Sequence, residues 1–202
     1  MKSKKKIEII AEIANAHQGN YKLAIKLAKE AHLANADAVK FHIYFAEEFL
    51  VKSHSRYNHF RKQSFSVETW KLILTETKKL NIKIYCDVFG ITAFRLAKKF
   101  NLDGIKIHSS DLNNYHLLNE CKNYNKKIFL SAGGSTLDEI EYALSFFDGK
   151  KQRPILLHGF QSYPTSVEDS SLSRINLFKK LFNKRCEFGY QDHISGSNKF
   201  SD

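Results

Sequence analysis

Short apolar runs alternate with amphipathic stretches along almost the whole chain, and this beat constrains the fold more than any other feature. The runs "IEIIAEIA" (7–14), "DAVKFHIY" (37–44), "IKIYCDVF" (82–89), "DGIKIHSS" (103–110), "KIFLSAGG" (127–134), "PILLHGF" (154–160) and "CEFGYQD" (186–192) read as strands. Helical segments fall between them at 21–35, 67–80, 91–100, 114–124, 135–147 and 171–183. In the first, Leu23, Leu27 and Ala31 repeat at helical spacing with Ala24 and Ala28, behind Asn20 as an N-cap. In the segment 135–147, Ser135 and Asp138 stand at capping-box spacing. Continuous apolar strands joined by helices require a parallel sheet covered by helices. A doubly wound dinucleotide fold places a glycine-rich turn after its first strand, and "ANAHQGN" is not such a turn. Polar residues instead recur at the C-terminal ends of the strands, where barrel enzymes build their sites. The expected fold is α/β, of (β/α)8 TIM-barrel type but incomplete, with about seven strands and six helices. The 202 residues suit one domain.

Composition narrows the partners. The net charge of +11 is spread over segments such as "KLAIKLAKE" and "LAKKF", the pattern of solvated helix faces. It favours anionic partners in general, while no compact aromatic-basic motif points to nucleic acid. Cys86, Cys121 and Cys186 are far apart without CxxC spacing, which fits reduced thiols. No apolar run approaches the roughly 18 residues of a membrane span, and Glu8, Glu12 and His17 interrupt the opening apolar run, so no signal peptide is read. The expected location is cytoplasmic, with neither nucleic acid nor membrane as partner.

The strand ends carry the chemistry. The first brings Glu12, Asn15 and His17; the second Lys40 and His42; the third Asp87. The fourth brings Lys106, His108, Ser109 and Asp111, and the fifth Ser131 with Gly133 and Gly134. The sixth brings His158, Gln161 and Tyr163, and the seventh Gln191, Asp192 and His193. Lys40 and Lys106 stand inside apolar strands, as "VKF" and "IKI", where an ammonium is costly unless an anion meets it. Two readings follow: pairing with an internal carboxylate such as Glu12, or binding of a phosphate or carboxylate ligand helped by Ser109 and Ser131. Gly133 and Gly134 ahead of a helix would add backbone donors. His193, between Gly189 and Gly196, reads as a metal ligand in want of a second, and His158 as an internal residue. The long connection 45–66 is either a basic lid over an anionic site or an exposed basic loop.

Five motifs in order then resemble the sialic acid synthase family, the N-acetylneuraminate, legionaminic and pseudaminic acid synthases. They are "AEIANAHQGNYKLAIKLAKEAHLANADAVKFHIY", "DGIKIHSSDLNNYHLL", "KIFLSAGGSTLDEIEYAL", "LLHGFQSYPTSVEDSSL" and "GYQDHISG", covering about residues 7–196. The resemblance implies a transferase on a (β/α)8 barrel that condenses phosphoenolpyruvate with an N-acylated amino sugar such as N-acetylmannosamine, releasing phosphate. It implies a divalent cofactor, Mn2+ or Mg2+, and a homodimer at full length. By resemblance Lys40, Lys106, Ser109 and Ser131 hold phosphoenolpyruvate with Gln161, Glu12 and Tyr163 meet the sugar, and His193 ligates the metal. Glu12 or Asp111 would be the base that activates water. The chain departs from the family pattern at His42 (commonly glutamine), Asp87 (threonine), Asp111 (glutamate) and Gln191 (serine), all counted among the substrate-facing or catalytic candidates. These departures leave the acyl sugar open. The resemblance also implies truncation before an eighth strand and before an antifreeze-like domain, so that this stretch alone is expected to be inactive. Two alternatives stand beside it: an aldolase forming a Schiff base at Lys40 or Lys106, and a non-catalytic sugar-binding or assembly module.

Overall fold

A strand buried on both faces has to alternate what it shows each layer, and the strand Ala38–Tyr44 does so. Val39, Phe41 and Ile43 are fully buried, and Phe41 meets Trp70 edge-on at 5.8 Å, so the helices cover that face. Lys40 and His42 therefore point to the opposite face. The computed structural model describes residues 7–195. Its strands are β1 (Ile10–Ala14), β2 (Ala38–Tyr44), β3 (Lys83–Phe89), β4 (Gly104–Ile107), β5 (Lys127–Ser131), β6 (Ile155–His158) and β7 (Glu187–Tyr190), ordered in the sheet as in the chain. Seven strands and an α/β class are as expected. Gly196 of the "DHISG" motif lies outside the described residues.

The chain divides into two units, up to Ile105 and from Lys106. The first holds β1 to β3 with α1 (Tyr21–Leu33), α2 (Ala46–Phe49), α3 (Tyr57–Gln63), α4 (Val67–Lys78) and α5 (Ile91–Lys99). Its strands pair in parallel, Glu12 opposite Lys40 and His42 opposite Asp87. Asn20 caps α1 as expected, its Oδ1 accepting from the amides of Lys22 and Leu23. Trp70, Ile73 and Leu74 of α4 and Phe94 of α5 fill the core between helices and sheet.

The second unit holds α6 (Tyr115–Cys121), α7 (Leu137–Ser145) and α8 (Ser173–Phe182) with β5 to β7, again parallel. Leu117, Leu118, Ile140, Leu144 and Phe178 bury the inner faces of its helices. Eight α-helices are therefore present among the described residues, two more than expected, because 45–66 contains α2 and α3. Phe49 and Phe60 of that connection pack on one another at 5.0 Å, and Phe49 lies 5.3 Å from Tyr44 and 5.0 Å from Phe89. The apolar side of a segment read as basic thus ties it to the ends of β2 and β3. The three cysteines are buried and form no disulfide with one another. Among the described residues no helix is long and apolar enough to cross a membrane.

Candidate functional site

Period-two alternation puts Glu12, Lys40, His42 and Asp87 on the face of β1–β3 turned away from the helices. The Lys40 ammonium lies 2.5 Å from Glu12 Oε2 and 3.1 Å from Asp87 Oδ1. His42 Nε2 lies 3.3 Å from Asp87 Oδ2 and 3.8 Å from Glu12 Oε1. Asp87 is wholly buried, whereas the Glu12 side chain is 45% exposed. Burial works against the Lys40 charge, yet the Asp87 and Glu12 carboxylates outweigh it and hold its pKa above the usual lysine value. Of the two readings open for Lys40, the structure shows the carboxylate-paired one. Both contacts direct the Lys40 charge to carboxylates of the protein itself.

Beside it, His17 is fully buried against Phe65 (4.6 Å) and Trp70 (6.2 Å). Its Nδ1 accepts from the Gly19 amide at 3.1 Å, and burial, reinforced by His42, lowers its pKa to about 4. It is a neutral anchor for the β1–α1 loop.

In the second unit the strand ends gather a different set. Lys106 is buried in β4, between Ile105 and Ile107. Ser109 opens a short 3-10 turn that reaches Asp111 and accepts a hydrogen bond from Gln161 Nε2. Asp111 accepts from Asn114 Nδ2 at 2.9 Å, and burial raises its pKa against the effect of that bond. The approach of Gln161 depends on Gly133, since a Cβ there would stand 2.8 Å from Gln161 Nε2 and 2.9 Å from the Gly159 carbonyl.

Around His193 the geometry is closest. Its Nδ1 lies 3.0 Å from the Phe160 carbonyl, which only accepts, so Nδ1 carries the proton and Nε2 the lone pair. Nε2 receives the Tyr163 hydroxyl at 2.7 Å and the Gln191 amide at 2.8 Å. The Tyr163 ring lies along the imidazole, centroids 4.0 Å apart, and Ser131 Oγ donates to Gln191 Oε1 at 3.3 Å. Thr165 N donates to the His193 carbonyl at 2.9 Å, pinning the segment after β7 to the segment after β6. A histidine whose other ring N–H is held by a backbone carbonyl is oriented as metal-ligating histidines are. His193 fits one position of a metal site. Among the described residues no group of three His, Cys, Asp or Glu side chains is gathered for a metal. His158 is internal as expected, its Nε2 donating to the Ser170 carbonyl at 2.8 Å.

Sequence reasoning therefore named Ser131, Tyr163, Gln191 and His193 but not their mutual contacts. It missed the Phe160 carbonyl, because a backbone acceptor leaves no trace in residue type.

A family model described as the NeuB family matches residues 25–200. The protein MJ1065 of Methanocaldococcus jannaschii is 34% identical over 93% of this chain and 56% of its own length. N,N'-diacetyllegionaminic acid synthase of Campylobacter jejuni is 30% identical over 95% of this chain and 62% of its own. The chain thus spans a little over half the length of these curated relatives. The crystal structure of N-acetylneuraminic acid (sialic acid) synthetase from Leptospira borgpetersenii, in complex with citrate, superposes with a TM-score of 0.85 at 32% identity. That match covers 95% of this chain and 67% of the other. The incomplete barrel-type α/β fold expected from the strand beat is the fold this likeness shows.

Proposed function

Because the chain belongs to the NeuB family, we propose that it carries the catalytic region of a nonulosonic acid synthase, joining phosphoenolpyruvate to an N-acylated amino sugar with release of phosphate. The observation that carries this reading is the His193 imidazole, fixed through Nδ1 by the Phe160 carbonyl with Tyr163 and Gln191 at Nε2.

Roles follow from charge. Lys106, with the Ser109 and Ser131 hydroxyls and the Gln161 amide, takes the anionic phosphoenolpyruvate. Glu12, His42 and Asp87 suit the hydroxyls and amide of a neutral sugar, since carboxylates accept from such donors. Lys40 has three N–H donors and gives two directions to Glu12 and Asp87, which leaves one for a substrate oxygen. Tyr163 and Gln191 line the imidazole and contact the sugar end. His193 would supply one ligand to a divalent ion, Mn2+ or Mg2+, whose contribution when bound is to polarise the aldehyde oxygen.

Holding C3 of phosphoenolpyruvate against the aldehyde carbon is positional catalysis. The new C–C bond leaves positive character at C2, water adds there as a base takes its proton, and the C2–O bond to phosphate then breaks. Between the two candidate bases, Asp111 is favoured, because burial raises its proton affinity while Lys40 holds Glu12 in an ion pair. The proposal extends to a homodimer with small-molecule substrates, as the sequence resemblance implies, and to a cytoplasmic location, as the cysteine pattern suggests.

Calorimetry with phosphoenolpyruvate tests the site on this chain directly. Saturable binding is expected, weakened about tenfold or more in Lys106→Met through loss of a charge-assisted contact. No phosphoenolpyruvate binding, or equal binding by the folded variant, would overturn the proposal. A lysine adduct trapped by borohydride would replace it with Schiff-base chemistry.

A further inference from the structure

His193 Nε2 carries one lone pair, and two donors share it: the Tyr163 hydroxyl at 2.7 Å and the Gln191 amide at 2.8 Å. Only one arrangement of the Gln191 amide suits these neighbours. With Nδ1 donating to the Phe160 carbonyl, Nε2 only accepts, so Gln191 turns its NH2 to the imidazole and its Oε1 to Ser131 Oγ, 3.3 Å away. A cation on the Nε2 lone pair reverses that preference. It repels the amide hydrogens, and a carbonyl oxygen is a donor that Mg2+ and Mn2+ accept readily.

A half-turn about the last side-chain bond exchanges the amide oxygen and nitrogen almost without change of shape. Ser131 tolerates the exchange, because a hydroxyl donates to Oε1 in one arrangement and accepts from the NH2 in the other. Ser131 is buried at the end of β5, which shelters this contact from water. After the turn Oε1 stands about where the amide nitrogen stands now, 2.8 Å from Nε2. Neighbouring ligands of an octahedral ion bound at roughly 2.0–2.1 Å lie about 2.9 Å apart, so the two atoms span one edge. The Tyr163 side chain has room to withdraw its hydroxyl, since that residue is 70% exposed.

We infer that Gln191 is a metal ligand of this chain, giving its side-chain oxygen to a divalent ion beside His193 Nε2 through an amide turn that Ser131 accommodates. The inference rests on the metal-ligand reading of His193 above and adds to the sugar contact given to Gln191. It supplies the second ligand that a lone imidazole lacks.

The test titrates Mn2+ into the 202-residue chain and follows the free aqua ion by electron paramagnetic resonance. The titration is run at about pH 8, where an ordinary imidazole is neutral. Saturable binding is expected, and is lost in His193→Ala. Gln191→Ala is expected to weaken it about fivefold or more, and Gln191→Glu, whose oxygens need no turn, to tighten it about tenfold or more. A Gln191 that only braced the imidazole would lose affinity in both variants. Heteronuclear NMR with Mg2+ reads the turn itself: the coupling across the hydrogen bond from the Gln191 amide to His193 Nε2 should vanish at saturation. Unchanged Mn2+ affinity in Gln191→Ala, no gain in Gln191→Glu, no binding that depends on His193, or a coupling that persists would each overturn the inference. Phosphoenolpyruvate calorimetry on the metal-free chain reads Lys106 and not Gln191, so the proposed function and this inference fail separately.

Discussion

Lys40 shows how a single side chain decides the electrostatics of a sheet face. Its ammonium offsets the buried Asp87 carboxylate, and the half-exposed Glu12 contributes less because water screens it. Removing the cation takes the Lys40 ammonium away from the wholly buried Asp87 carboxylate. Lys40→Met is therefore expected to destabilise the fold by about 3 kcal/mol, and Lys40→Met/Asp87→Asn to recover at least half of that loss. Urea denaturation followed by the fluorescence of Trp70, the only tryptophan, measures both. A cost for the single variant within the range of exposed pairs, below about 1 kcal/mol, would mean that the contact is a surface pair and not a buried one. Because the folded pKa lies above the ordinary 10.5, this contribution is fully present below that pH and is lost only as pH rises through the folded value.

Helix starts show what one residue of register does at the level of an element. The spacing Ser135…Asp138 satisfies a capping-box pattern, but the box that forms is Thr136 with Glu139. Glu139 N donates to Thr136 Oγ1 at 3.3 Å, and Glu139 Oε2 accepts from Thr136 N at 2.7 Å. The reach back to the cap amide favours glutamate, one methylene longer than aspartate. The Ser135 carbonyl is engaged elsewhere, accepting from Arg174 at 2.8 Å. Thr136→Ala is expected to cost about 1 kcal/mol and Ser135→Ala less than half as much, read from amide exchange at Glu139 and Ile140. The reverse ranking would restore Ser135 as the cap.

At the scale of the molecule, a histidine that the fold keeps neutral makes stability depend on acid. His17 titrates near 6.5 when unfolded and at about 4 when folded, because burial disfavours the imidazolium. Between those values the unfolded chain binds the extra proton, so stability falls as pH drops from 6.5 toward 4. His17→Asn retains an acceptor near the position of Nδ1 and is expected to flatten the dependence in that window. Trp70 packs edge-on to His17, so its fluorescence reports the unit in which the change occurs. An unchanged slope in the variant would place the titrating group elsewhere.

The seven strands, their parallel pairing and the gathering of Glu12, Lys40, His42 and Asp87 at strand ends were legible from the alternation of apolar runs with amphipathic segments, because such periodicity is a local property of the chain. The family was legible as well, since five motifs in order are a feature of the chain and not of its folding. The α2 and α3 helices of the 45–66 connection were not, because their stability comes from Phe49 and Phe60 meeting the strand ends. The partner of the Lys40 ammonium and the tautomer of His193 were decided by tertiary structure alone. Each depends on distances of 2.5–3.1 Å between atoms from different places in the backbone, and residue type names a donor or acceptor without saying which one it will reach.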